Sequence, residues 1–172
     1  INILGFGVHG NESSAAEAAI LTAYWLVAST GQEVSSYLEN GIFFIEPSRN
    51  PDGHDRHAFW VNSQTSKNLV ADPADLEHNE TYPGGRGNHY WFDLNRDWLP
   101  AIHVESQARL DFYHSWVPHL ATCHHEMGTN STFFFEPTKP IDRESPLVPK
   151  GHYELNNRFA NYFARALDNI GS

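Results

Sequence analysis

Apolar residues fall along this chain in short blocks separated by long stretches rich in Gly, Pro, Asn and His. The first block, INILGFGV at residues 1–8, is a continuous apolar run bounded by glycine, which predicts a buried strand. Asn11 follows as a helix N-cap. Residues 12–29 are then apolar on nearly every side, including Ala15, Ala19, Ile20, Leu26 and Val27, so a largely buried helix is expected. GIFFIEP at residues 41–47 reads as a second buried strand, ended by Pro47. Strand, helix, strand at this spacing favours a parallel α/β sheet.

From Ser48 to Trp98 the periodicity fades into turn-forming residues, among them NPDG at 50–53 and YPGG at 82–85. A loop region this long in a compact domain is either functional or disordered. Its aromatics (Phe59, Trp60, Tyr82, Tyr90, Trp91, Phe92) argue against disorder. After Pro100 a helix runs to about Trp116, with Leu110, Tyr113 and Val117 on one face. HLATC at 119–123 is a third strand and STFFFEP at 131–137 a fourth. In the last helix Leu155, Phe159, Tyr162, Phe163, Ala166 and Ile170 keep helical spacing, and Gly171 serves as its cap. Repeats and low-complexity segments are absent from the sequence.

Composition narrows the functional classes. The 172 residues, 40% hydrophobic and 13% aromatic, suit one domain over residues 1–172. Eleven Lys and Arg against 21 Asp and Glu give a formal charge of −10, which repels nucleic acid. The longest apolar stretch, AAILTAYWLVA at 18–28, is shorter than the roughly 20 residues of a membrane span. The single cysteine, Cys123, excludes an intramolecular disulfide. Eleven histidines are many for this length, and imidazole is the commonest metal ligand.

Three segments carry candidate chemistry. His9 and Glu12, in HGNE, sit three apart where a predicted strand gives way to a helix; a polar lip at a turn has the same spacing, so the pair needs partners. In ATCHHEMG at 121–128 a strand ends in two histidines. Alternation sends His124 and His125 to opposite sides, so only one can face a site at the strand's C-terminal edge. The helical HExxH motif is absent, because Thr129 stands where its second histidine would be. Ligands of open parallel sheets bind beyond the carboxyl ends of strands, where both segments lie. Two histidines and one glutamate leave a fourth position for water, the pattern of a catalytic zinc site. The third segment is FDLNRDW at 92–98. Arg96 can hold a carboxylate through two parallel hydrogen bonds and Asn95 can add a donor, although Arg96 could equally pair with Asp93 or Asp97.

HGNE, NPDG, DLNR and the strand-end histidine of HHEMG resemble, in the same order, the zinc carboxypeptidases of the carboxypeptidase A type. The resemblance runs from His9 to about Pro137. It implies an α/β/α sandwich around a mixed, largely parallel sheet, incomplete here at both ends. It implies one zinc ion held by His9, Glu12 and His125, with Asn95 and Arg96 gripping the carboxylate of a peptide or protein C-terminus. The activity implied is hydrolysis of the C-terminal peptide bond, and the setting extracellular or periplasmic. Two departures stand out. The family's carbonyl-polarising arginine follows a tryptophan, but Trp60 is followed by Val61, leaving Arg56 as the nearest candidate. The family's general-base glutamate and capping tyrosine have no counterpart here, so poor hydrolysis by this chain alone is expected. Two alternatives share the signatures: an N-acyl amino acid deacylase of the aspartoacylase kind, and a non-catalytic module binding peptide C-termini. The sequence does not fix side-chain preference or oligomeric state.

Overall fold

The computed structural model describes residues 1–128 and 145–171. The chain divides into two compact units, Ile1–Glu126 and Met127–Ser172. In the first, the elements run β1 (Asn2–Gly5), α1 (Ser13–Ala28), α2 (Gln32–Asn40), β2 (Phe43–Glu46), α3 (Pro51–Gln64), two 3-10 turns (Leu76–His78 and Leu94–Arg96), α4 (Val104–Trp116) and β3 (Leu120–Cys123). The strands form a parallel sheet in the order β2-β1-β3, with β1 central and Gly5 in register with both Glu46 and Cys123. All three described strands are parallel, and the expected fourth strand at 131–137 lies outside the described residues.

Strand alternation explains the layering. Leu4 and Ile45, partners across β1 and β2, pack with Phe6 against the small side chains of Ala15 and Ala19 on α1. The next register pair, Ile3 and Phe44, faces the other way, where Phe44 meets Phe112 and Trp116 of α4 at ring distances of 5.0 and 4.7 Å. Helices therefore cover both faces, as parallel sheets require.

Four expectations change. α1 begins at Ser13 with Glu12 in the cap position; Asn11 instead donates to Glu80 Oε2 at 2.8 Å. α1 buries only Ala15, Ala19 and Leu26, because a three-stranded sheet covers one stripe of a helix that is apolar all round. α2 occupies a stretch the apolar pattern leaves unassigned, and buries Val34 alone. NPDG opens a helix within the region read as loop. The Asn50 side chain accepts from Gly53 N–H at 2.9 Å, and Pro51 takes the first position of α3.

The remaining loop is ordered by side chains that satisfy its backbone. Asn88, fully buried, accepts from the N–H groups of Tyr90 and Phe92 through Oδ1, and Glu77 accepts from Ser66 and Val70. In the second unit, α5 (Lys150–Ile170) ends as the spacing predicts, on Gly171 in the left-handed conformation with φ 75°.

Candidate metal centre

Beyond β1 the backbone passes so close to α3 that a Cβ on Gly10 would lie 2.1 Å from His54 N, so glycine is required there. Gly10 N–H donates to Gly85 O at 2.8 Å, which ties this turn to the long loop. The turn buries His9, 3% exposed, and sets Glu12 at the start of α1, where the helix dipole favours a carboxylate. Two residues past β3, His125 arrives from the neighbouring strand.

Three ligand-capable side chains converge. His9 Nδ1 lies 2.9 Å from Glu12 Oε1, and His125 Nδ1 lies 2.9 Å from Glu12 Oε2. One ligand atom from each residue falls within 4.8 Å of the others. The far sides of both rings are already engaged. His9 Nε2 donates to Asp93 Oδ1 at 3.0 Å, and His125 Nε2 lies 3.2 Å from Cys123 Sγ. In a neutral His9 the bond to Asp93 puts the ring proton on Nε2, so the Nδ1 lone pair points at a carboxylate oxygen of Glu12. Acceptor facing acceptor is repulsive unless a proton or a cation intervenes, and two imidazoles with a carboxylate are a donor set suited to zinc.

The electrostatics express this conflict. Burial works to raise the Glu12 pKa, but the hydrogen bonds to His125 and His9 outweigh it and bring it down to about 2. For His125, the hydrogen bonds to Cys123 and then Glu12 overcome burial and push its pKa up to about 10.

Around the triad, Asp93 does more than the sequence suggested. Its Oδ1 also accepts from Asn95 N–H at 2.8 Å, and its Oδ2 from Arg86 Nε at 3.1 Å. Burial raises its pKa, and the bonds from His9 and Asn95 more than reverse this. Arg86 Nη1 lies 3.4 Å from His9 Nδ1, making Arg86 a cation at the triad. Arg86 was missed by sequence reasoning. The available signal was an arginine isolated in the glycine-rich GGRG, with no acid adjacent to pair it.

Asn95 reaches the site. Its Nδ2 lies 3.4 Å from His125 Nε2, and its Oδ1 accepts from Trp98 Nε1 at 3.0 Å. Arg96 is exposed and donates to Asn95 O; Asp93 pairs instead with Arg86, while Asp97 accepts from Ile102 and His103 N–H. Arg56 stands apart from the triad. Its guanidinium donates to the carbonyls of Gly84, Gly87 and Asn88 at 2.8, 3.1 and 2.9 Å, so it braces the loop that carries Arg86. His124 turns to the opposite side from His125, stacks on Phe6 at 4.1 Å and donates to Gly5 O. Glu126 Oε1 accepts from Ser14 N–H at 2.7 Å, which caps α1.

Comparison with curated proteins finds no match. The sequence model of the zinc carboxypeptidases matches residues 4–140, a span that contains the triad, Asp93, Arg86 and the Asn95–Arg96 pair. The chain belongs to the zinc carboxypeptidase family.

Proposed function

We propose that this chain forms the metal and carboxylate-binding part of a metallocarboxypeptidase that cleaves the C-terminal bond of peptides. The observation that carries the reading is the convergence of His9, Glu12 and His125, with both imidazoles oriented from behind and Asn95–Arg96 next to Asp93 in sequence. His9, Glu12 and His125 would hold one zinc ion. Bound zinc supplies a Lewis acid and a water of lowered pKa.

The chain's own residues do the rest. Arg96, exposed and free of any carboxylate partner among the described residues, grips the terminal carboxylate of the peptide, with Asn95 as a further donor. Fixing that carboxylate decides which bond meets the metal and makes the enzyme an exopeptidase. Arg86, anchored by Asp93, offers N–H donors where negative charge develops on the scissile carbonyl.

Zinc stoichiometry after dialysis tests the reading without depending on turnover. One equivalent is expected in the parent and in His124→Ala, and none in His125→Ala. Loss in both variants, or no zinc in the parent, overturns the ligand set. Release of a terminal amino acid from a peptide, compared with deacylation of an N-acyl amino acid, then separates the peptidase from a deacylase.

A further inference from the structure

The face of α4 that meets the sheet mixes the aromatic rings of Phe112 and Trp116 with polar side chains. Its buried residues are Ser106 and Arg109. An arginine on the inner stripe of a helix is costly unless its charge is matched. Arg109 is 8% exposed, its guanidinium carbon lies 3.7 Å from the centre of the Trp98 ring, and its Nε is buried without a hydrogen-bond partner. A second arginine joins it. The Arg49 side chain is 5% exposed and crosses the sheet at Gly5, where a Cβ would sit 1.8 Å from its Cζ. Glycine at that strand end therefore makes room for a guanidinium. Glu46 engages Nε and Nη2 of Arg49, but Nη1 is buried with no partner.

Both arginines line a cavity of about 80 Å³, enough for a group of a few heavy atoms. Trp98, Phe112 and Cys123 form its walls. The cavity adjoins the metal centre through two of these residues. Cys123 Sγ lies 3.2 Å from His125 Nε2, and Trp98 Nε1 donates to Asn95 at 3.0 Å. The acids in the neighbourhood are Glu46, bound to Arg49; Asp97, whose oxygens accept from Ile102 and His103 N–H; and Glu105, which lines an adjacent cavity of about 210 Å³ with the same arginines. Glu105 receives a bond from Asn88, and no ion pair joins it to either arginine among the described residues. Burial and the charge of Arg49 both lower the Arg109 pKa, a stress that an anion would relieve.

We propose that Arg49 and Arg109 form a carboxylate-binding subsite in the cavity beside the metal centre. Unfilled donors on two buried guanidiniums, in a cleared space lined by an aromatic wall, match one planar carboxylate. That carboxylate is either a small free acid or the acidic side chain of a peptide's terminal residue. The second source rests on the peptidase reading; the first does not.

Acetate titrated into the metal-free protein by calorimetry tests the subsite independently of zinc. Saturable binding at millimolar acetate is expected, weakened at least about tenfold in Arg109→Gln and in Arg49→Gln. Crystals soaked in acetate give a readout that needs no variant: the carboxylate should sit within hydrogen-bond distance of Arg49 Nη1 and Arg109 Nε. No saturable binding, undiminished binding in both variants, or acetate ordered only elsewhere would refute the subsite. N-acetyl-Ala-Glu and N-acetyl-Ala-Gln then distinguish the source. Tighter binding of the Glu peptide, abolished by acetate, assigns the subsite to the substrate side chain; equal binding assigns it to a free carboxylate.

Discussion

Asp93 orders the candidate centre without being one of its three ligand-capable residues. It fixes the tautomer of His9 from 3.0 Å away and simultaneously anchors Arg86. Asp93→Asn should therefore weaken zinc binding by about 10- to 100-fold, read by competition with a chromogenic chelator, while leaving the stoichiometry at one. Unchanged affinity would show that His9 needs no such partner. Arg56 should behave oppositely. Arg56→Met removes a charged donor from three carbonyls and should cost about 2 to 4 kcal/mol in urea unfolding, with its effect on the metal only indirect. The grouping of His9, Glu12 and His125 was legible in the sequence because HGNE, DLNR and the strand-end histidine resemble the family's motifs in the same order. The roles of Asp93 and Arg86 were not, since they depend on contacts to His9 across 84 and 77 positions that no local pattern encodes.

Asn50 shows how one tetrapeptide can serve two kinds of element. Asn-Pro-Asp-Gly reads as a turn, yet the same preferences, a side-chain acceptor and a fixed φ, also start a helix, and here they start α3. Asn50 also donates to Val8 O and Arg86 O at 3.3 and 3.1 Å, which joins the helix start to both walls of the metal centre. Asn50→Ala should cost about 2 to 4 kcal/mol, more than the roughly 1 kcal/mol of an ordinary cap, as a shift in thermal midpoint. A loss near 1 kcal/mol would mean that the two carbonyl bonds contribute little. α3 escaped the sequence reading because it buries only Gly53, leaving no apolar stripe to detect. β1, β2, β3 and α5 were visible for the converse reason, that apolar runs or helical spacing dominate them.

Across the whole molecule, order in the long loop depends on ionised carboxylates. For Glu80 and Asp97, burial works to raise the pKa, and hydrogen bonds from His57 and Asn11, and from His103 and Ile102 N–H, outweigh it. Their folded pKa values lie below the ordinary 4.5 and 3.8, so their stabilisation is present above those values and is lost as pH falls through the folded ones. Melting temperature should hold from pH 7 to about 5 and drop steeply below about 4, with a shallower drop in Asp97→Asn. A variant whose acid limb matches the parent would remove Asp97 from that account. The parallel order β2-β1-β3 also has a temporal side. Glu12 and His125 are separated by 113 positions, so at about 5 to 20 residues per second the second imidazole is made about 6 to 23 s after the carboxylate. Until then the nascent chain holds His9 and Glu12 without their third partner, while the β3 side of β1 lies unpaired. The three side chains can thus meet only late, once the ribosome has delivered β3 and His125 behind it.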